Sequence, residues 1–166
     1  MSIALLIVDD HPVFRFGLRA LIEAEPDMHI AGEATNGAEA LAFDADQPLD
    51  LVLLDMNLPD INGLEVTRRL HAQRPDTRVL VISMLDDSTV FNALRAGACG
   101  YILKGANGDE TLRAIRAAAA GEAIFSPKIA QRIMQHFAAP PSAAVFPELT
   151  EREREILALL AQGLTN

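Results

Sequence analysis

Residues 3–8 read IALLIV, and two aspartates, Asp9 and Asp10, follow them directly. A short, continuous apolar run rich in branched side chains is typical of a strand that is buried on both faces of a sheet. Similar runs occur at residues 49–54, 79–83 and 100–103, and a more polar one at 28–34 suits an edge strand. The sequence therefore predicts five strands.

Helical patterns alternate with these runs. The first has apolar or small residues at positions 14, 17, 18, 21 and 22, which form one face of a helix that can cover a sheet. Further helices are predicted over residues 37–44, 64–71, 90–96 and 109–120. Strict alternation of buried strands and helices predicts an α/β fold with an open parallel sheet covered on both faces. We expect this unit to occupy residues 1–121.

Composition supports a folded protein of modest size. Half of the 166 residues are hydrophobic, 22% are charged and the mean hydropathy is +0.18, unlike a disordered chain. Fourteen Lys and Arg stand against 23 Asp and Glu, and residues 1–121 hold 18 of the acids but only 10 of the bases. This balance argues against direct, non-specific binding of nucleic acid by the chain as a whole.

The cellular compartment is indicated by what the sequence lacks. Cys99 is the only cysteine, so neither an intramolecular disulfide nor a cysteine metal cluster can form. The apolar N-terminal run is too short for a signal peptide, and no run reaches the length of a membrane span. We therefore expect a cytoplasmic protein without a membrane partner.

The composition changes after residue 121. Ser126-Pro127 can begin a helix whose apolar stripe includes Ile129, Ile133 and Phe137. Residues 138–144, AAPPSAA, are typical of a linker, so residues 122–147 are interpreted as a linker helix followed by a Pro/Ala-rich linker. Thr150 and Glu153 then form a capping box before an amphipathic helix, so residues 148–166 are interpreted as the opening of a second domain.

Chemically active side chains follow four of the predicted strands. They are Asp9, Asp10, Asp55, Ser83 and Lys104. Ligands of open parallel α/β sheets bind at the carboxyl ends of the strands, so these side chains are expected to share one crevice. Three crowded carboxylates repel one another unless a cation neutralises them, and oxygen ligands suit Mg²⁺. With Lys104, the charges of the carboxylates and Mg²⁺ cancel.

Asp55 is the candidate nucleophile in this crevice. A carboxylate can attack phosphorus and form an acyl phosphate. Lys104 and the hydroxyl of Ser83 could donate to phosphoryl oxygens as charge develops, and Mg²⁺ could neutralise those oxygens. An acidic residue after a strand is more often a turn former than a ligand, but five suitable residues at four strand ends favour a phosphoryl-transfer site.

Three segments resemble the receiver domain of two-component response regulators of the NarL/FixJ subfamily. They are Asp9-Asp10-His11-Pro12-Val13-Phe14-Arg15-Phe16-Gly17-Leu18, residues 53–64 (LLDMNLPDINGL) and Gly100-Tyr101-Ile102-Leu103-Lys104. The resemblance covers residues 3–121. It implies a flavodoxin-like (βα)5 fold with the strand order 2-1-3-4-5. It also implies a regulator that catalyses only its own phosphorylation and dephosphorylation, rather than an enzyme with a separate substrate.

The resemblance implies specific roles. Asp55 would accept phosphate from the phosphohistidine of a sensor histidine kinase, Asp10 and the Asn57 carbonyl would ligate Mg²⁺ directly, and Asp9 would help through water. Ser83 and Tyr101 match the family's switch pair. Many receivers have proline after the lysine, whereas Gly105 follows Lys104 here, so a cis peptide is not carried over. Phe14 and Arg15 could touch the kinase, although a core role for Phe14 is equally compatible with the sequence.

Residues 149–157, LTEREREIL, resemble the start of a LuxR-type helix-turn-helix domain, but the recognition helix is absent from the 166 residues. DNA would then be contacted only through a further C-terminal part, with a homodimer possible on phosphorylation. A stand-alone receiver that acts through protein contacts is the alternative if the chain ends at residue 166. An aspartate-nucleophile phosphatase is disfavoured because Asn57 stands where that class has a second, acid/base aspartate.

Overall fold

The computed structural model describes residues 2–43, 46–84 and 89–138. The chain divides into two compact units, Met1–Ile133 and Met134–Asn166. The elements described below belong to the first unit, except for the last residues of the final helix. The predicted linker after residue 138 and the predicted helix-turn-helix segment at 148–166 lie outside the described residues, so the proposed domain boundaries stay predictions.

The elements alternate as the apolar runs predict. The strands are β1 (Ile3–Val8), β2 (Met28–Ala34), β3 (Leu51–Leu54), β4 (Arg78–Ser83), β5 (Gly100–Leu103) and β6 (Ile124–Phe125). The helices are α1 (Pro12–Glu23), α2 (Gly37–Leu41), α3 (Gly63–Gln73), α4 (Thr89–Arg95), α5 (Gly108–Ala119) and α6 (Pro127–Ala138). The second helix ends at Leu41 rather than at residue 44, and the third strand begins at Leu51 rather than at residue 49.

The sheet is parallel, with the order β2-β1-β3-β4-β5-β6. The order predicted for the first five strands is confirmed. The number of strands is not, because β6 adds a sixth beside β5, with Gly100 opposite Ile124. A Cβ atom at Gly100 would lie 2.4 Å from the carbonyl oxygen of Ile124, so the glycine leaves room for this extra strand.

Alternate strand residues point to opposite faces of the sheet. Leu5 and Ile7 of β1 face one core with Ile22 of α1 and Ile115 of α5. Leu6 and Val8 face the other core, where α2 and α3 pack. Val90 of α4 and Ile129 of α6 join a third cluster around Tyr101. Because both faces are covered, the carboxyl edge of the sheet is the place where polar side chains from several strands can meet.

Candidate functional site

Asp9 and Asp10 lie in the turn between β1 and α1. The backbone N–H of Asp9 donates to the carbonyl of Ala34 at 3.1 Å, which ties this turn to the end of β2. Oδ1 of Asp9 accepts a 2.8 Å hydrogen bond from the backbone N–H of His11, and α1 begins at Pro12. Asp9 is 2% exposed, whereas Asp10 reaches solvent.

Asp55 follows β3 directly and is 2% exposed. Its backbone N–H donates to the carbonyl of Val8 at 2.9 Å, so it lies beside the end of β1. Its Oδ1 accepts a 3.2 Å hydrogen bond from the backbone N–H of Asn57. A buried carboxylate with few donors is strongly attracted to a cation.

Lys104 supplies that cation. Its Nζ lies 2.7 Å from Oδ2 of Asp55 and 2.7 Å from Oδ2 of Asp9, and its side chain is 5% exposed. Burial by itself lowers the pKa of Lys104, but the hydrogen bonds and charges of Asp55 and Asp9 outweigh burial, so its pKa is raised above the ordinary range. The lysine therefore stays protonated between the two aspartates.

The donor set fits a hard divalent cation. One ligand atom from each of Asp9, Asp10, His11 and Asp55 can be chosen so that all lie within 4.8 Å of one another. Carboxylate oxygens in such a group suit Mg²⁺. From the sequence, His11 beside Pro12 is expected to shape the entry to α1 rather than to bind metal. In the structure its Nδ1 lies 2.7 Å from Oδ1 of Asp10 and 3.2 Å from Oδ1 of Asp9, within the group of possible ligands.

The structure brings Asp9, Asp55 and Lys104 into direct contact, with Asp10 beside them. Ser83 is fully buried as the last residue of β4, and its carbonyl accepts a 2.9 Å hydrogen bond from the backbone N–H of Lys104. Tyr101 is also fully buried, and its hydroxyl lies 3.2 Å from Oγ1 of Thr89 at the start of α4. These two residues therefore lie on the adjacent strands β4 and β5.

Phe14 and Arg15, which the sequence did not predict as site residues, also contact the acid cluster and Lys104. The ring centre of Phe14 lies 4.7 Å from Nζ of Lys104. Arg15 donates through Nη1 to the backbone carbonyl of Asp9 at 2.7 Å. Both residues lie on the first turn of α1, close to the aspartates in the sequence, but their direction toward the site follows from how α1 packs.

The parallel sheet and the acid cluster at its carboxyl edge are those of the receiver class of α/β domains. The family described as "Response regulator receiver domain" matches residues 5–116. Receiver domains are regulators rather than conventional enzymes.

Named relatives agree over nearly the whole chain. The transcriptional regulatory protein LiaR of Bacillus subtilis is 36% identical over 166 residues, covering 99% of this chain and 79% of LiaR. The nitrate/nitrite response regulator NarL of Escherichia coli K12 is 38% identical, covering 98% of this chain and 76% of NarL. A LuxR-family two-component response regulator from Aurantimonas sp. SI85-9A1 superposes with a TM-score of 0.77 at 35% identity, covering 82% and 99% of the two chains. The chain belongs to the NarL/LuxR family of two-component response regulators, which regulate transcription.

No helix within residues 2–43, 46–84 and 89–138 combines the length and the apolar character that crossing a bilayer requires.

Proposed function

We propose that Asp55 accepts a phosphoryl group and that Lys104, Ser83 and the aspartates of the β1–α1 turn assist the transfer. The observation that carries this proposal is the buried trio of Asp55, Lys104 and Asp9, in which one lysine contacts both carboxylates at 2.7 Å. A carboxylate that is buried and paired with an ammonium group is held in a fixed orientation, as a nucleophile requires.

In the proposed step an oxygen of Asp55 attacks phosphorus and forms a P–O bond. The P–N bond to the phosphohistidine of a sensor kinase breaks, and the imidazole leaves with the electron pair of that bond. Lys104 then donates to a phosphoryl oxygen, because its ammonium already lies against Oδ2 of Asp55. Hydrolysis of the acyl phosphate at the same site would return Asp55 to its carboxylate, so the protein would catalyse only its own phosphorylation and dephosphorylation.

Asp9, Asp10, Asp55 and the backbone carbonyl of Asn57 are the residues that we propose to hold Mg²⁺. The ion supplies electrostatic stabilisation of phosphoryl oxygens when bound. The chain's own part is to keep three carboxylates together despite their repulsion, and Lys104 does so by pairing with two of them.

We propose that Ser83 and Tyr101 report the phosphorylation state. Ser83 ends β4 beside β3, the strand that Asp55 follows, and Tyr101 lies on the neighbouring β5. A hydroxyl that moves toward the phosphoryl group changes the space available to Tyr101, and two arrangements whose populations phosphate biases are sufficient for a switch. The readout surface would be that of α4 and β5, where Thr89 contacts Tyr101.

A sensor histidine kinase is the proposed donor, and α1 is the proposed docking surface. A cavity of about 610 Å³ opens beside the site, with Phe14, Leu18, Leu21 and Leu103 among its lining residues. Val13 and Phe16 of the same helix are 86% and 71% exposed. Such apolar exposure on a surface next to the phosphoacceptor suits a protein partner.

The proposed output is transcriptional, through a C-terminal LuxR-type helix-turn-helix domain whose opening we assign to residues 148–166. Phosphorylation would act on this output by changing the contacts of the receiver, including formation of a homodimer. We propose a cytoplasmic location, since both the kinase's phosphohistidine and DNA would have to be reached there.

Intact mass spectrometry tests the central step. The full chain is incubated with Mg²⁺ and acetyl phosphate, alongside Asp55→Ala and, as a matched control, the exposed Asp76→Ala. We expect one phosphoryl adduct on the parent and on Asp76→Ala and none on Asp55→Ala. An adduct that persists in Asp55→Ala, or no adduct on folded parent in excess Mg²⁺, would overturn the proposal.

A further inference from the structure

Arg15 bridges three elements of the fold at the acid cluster. Its Nη1 donates to the backbone carbonyl of Asp9 at 2.7 Å, and its Nε donates to Oε2 of Glu33 at 3.1 Å. Arg15 lies on α1, Asp9 follows β1, and Glu33 lies on β2. The side chains of Arg15 and Glu33 are 17% and 20% exposed, so water weakens this contact less than it would weaken a surface ion pair.

The carbonyl that Arg15 holds belongs to the peptide bond between Asp9 and Asp10. A peptide unit is planar, so the direction of the Asp9 carbonyl also sets the direction of the following N–H and the position of the Asp10 Cα atom. The N–H of Asp9 is already held by Ala34, and the N–H of His11 by the Asp9 side chain. Arg15 therefore restrains the peptide unit that joins the two aspartates.

We infer that Arg15, oriented by Glu33, is a positioning residue that sets the affinity of the site for Mg²⁺ by fixing the Asp9–Asp10 peptide. This inference rests on the proposed metal site. Partners that orient the ligands of a metal contribute to its affinity, and their removal weakens binding by about 10- to 100-fold in well-studied sites.

Electrostatic repulsion alone predicts that Mg²⁺ binds more tightly, not more weakly, when the charge of Arg15 is removed. A guanidinium bonded to the backbone carbonyl of Asp9 adds positive charge near the acid cluster and repels a divalent cation, so removing that charge would tighten the binding of Mg²⁺ if charge were its only effect. A positioning role predicts weaker binding when Arg15 is replaced by a neutral residue. The sign of the change in the Mg²⁺ dissociation constant therefore separates the two explanations.

Arg19 offers a matched control on the same helix. It also contacts the carboxylate of Glu33, but it lies one turn farther along α1 and its side chain is 47% exposed. Arg15→Gln and Arg19→Gln remove the same charge from the same ion-pair group. Only the first removes a donor to the Asp9 carbonyl.

The experiment measures the Mg²⁺ dissociation constant of the full chain by isothermal titration calorimetry. We expect Arg15→Gln to raise that constant about tenfold, Arg19→Gln to leave it unchanged, and Glu33→Gln to raise it by less than Arg15→Gln. Arg15→Lys keeps the charge and a donor group, so its Mg²⁺ dissociation constant is expected to lie between those of the parent and Arg15→Gln. At saturating Mg²⁺ the rate of phosphorylation by acetyl phosphate should return toward that of the parent in every variant.

Three outcomes would overturn the inference. Unchanged or tighter Mg²⁺ binding in Arg15→Gln would show that Arg15 adds no affinity by positioning the peptide. Equal weakening in Arg15→Gln and Arg19→Gln would indicate a general effect of α1, and a phosphorylation defect that saturating Mg²⁺ does not relieve would place Arg15 elsewhere in the reaction. If Arg15→Gln does not fold, Glu33→Gln decides: weaker binding supports the inference and unchanged binding overturns it.

Asp10→Asn separates this inference from the proposed site. Suppose that the parent binds Mg²⁺, that Asp10→Asn abolishes this binding and that Arg15→Gln does not change it. In that case the metal site stands and only the proposed role of Arg15 fails. If the parent binds no Mg²⁺, the metal site and the role of Arg15 fail together.

Discussion

Nζ of Lys104 lies 4.7 Å from the centre of the Phe14 ring. The same ammonium group contacts Asp9 and Asp55. Phe14 therefore connects the first turn of α1 with a lysine that is 90 residues away in the sequence. An aromatic ring attracts a cation at this distance, so Phe14 helps to keep the ammonium between the two aspartates.

Replacing Phe14 should weaken the fold partly through this contact. In a double-mutant cycle of Phe14→Leu and Lys104→Met, we expect a coupling free energy of about 1 kcal/mol from urea denaturation, because the contact is largely shielded from water. Phe14→Tyr keeps the ring and should keep the coupling. Strictly additive effects would show that the ring and the ammonium do not interact measurably.

Mg²⁺ should stabilise the fold. A ligand that binds only the folded state at tenfold excess over its dissociation constant raises the free energy of unfolding by about 1.4 kcal/mol. Asp10→Asn should remove most of this gain, because it takes a charged oxygen donor from the acid cluster. The measurement is urea denaturation with and without Mg²⁺, with Asp76→Asn as the control. A response of Asp10→Asn equal to that of the parent would contradict the ligand assignment.

The ion pair between Arg116 and Asp27 should make stability depend on acid pH. Arg116 of α5 donates through Nε to Oδ2 of Asp27 at 2.7 Å and through Nη2 to Oδ1 at 2.9 Å. These hydrogen bonds hold the pKa of Asp27 below its usual value of 3.8, although burial works in the opposite direction. A lowered pKa in the folded state means that the stabilisation is present above 3.8 and is lost as the pH falls through the folded value.

Urea denaturation of the parent and Arg116→Gln over this pH range tests the pair. With both proteins carrying Glu25→Gln, which removes the other carboxylate that accepts from Arg116, the difference between their free energies of unfolding should be constant well above pH 3.8 and should shrink at lower pH. Arg113→Gln, an exposed arginine on the same helix, serves as the control for lost charge. A difference that does not change with pH would show that Arg116 stabilises the fold by packing alone.

Gly63 should tolerate no side chain. A Cβ atom there would lie 2.7 Å from the Cα atom of Met56 and 2.9 Å from the carbonyl oxygen of Asp55, which are backbone atoms next to the candidate nucleophile. Gly63→Ala should therefore lower the free energy of unfolding by about 1–3 kcal/mol and slow phosphorylation by displacing the segment after β3.

Gly17 provides the comparison for this substitution. It lies within α1, and a Cβ atom there would meet no atom within 4 Å. Gly17→Ala should raise the free energy of unfolding by about 0.5–1 kcal/mol, since alanine loses less conformational freedom in a helix. Destabilisation by Gly17→Ala as large as that by Gly63→Ala would show that the close approach at Gly63 is not the cause.

The five principal strands and the clustering of Asp9, Asp55 and Lys104 could be predicted because both depend on local patterns. Buried apolar runs identify the strands, and parallel strands bring their carboxyl ends to one edge. Ile124–Phe125 could not be found in this way. Two residues show no periodicity, and this strand forms because the backbone of β5 is open beside it.

The contacts of Arg15, Phe14 and His11 could not be predicted from the sequence, for a different reason. Helical spacing shows which residues share a face of α1, but it does not show how that helix is rotated over the sheet. The rotation follows from packing of Leu18 and Ile22 into the core. Once it is set, residues of the first turn reach the acid cluster.

The short strand β6 also decides how the chain leaves the sheet. Phe125 pairs with Tyr101, the backbone N–H of Ser126 donates to the carbonyl of Tyr101 at 3.2 Å, and α6 begins one residue later. Ile129 of α6 packs in the same cluster as Tyr101. The first residues of α6 are thus attached to β5 by backbone pairing and by apolar packing. A displacement of β5 at Tyr101 would therefore be transmitted to the start of α6.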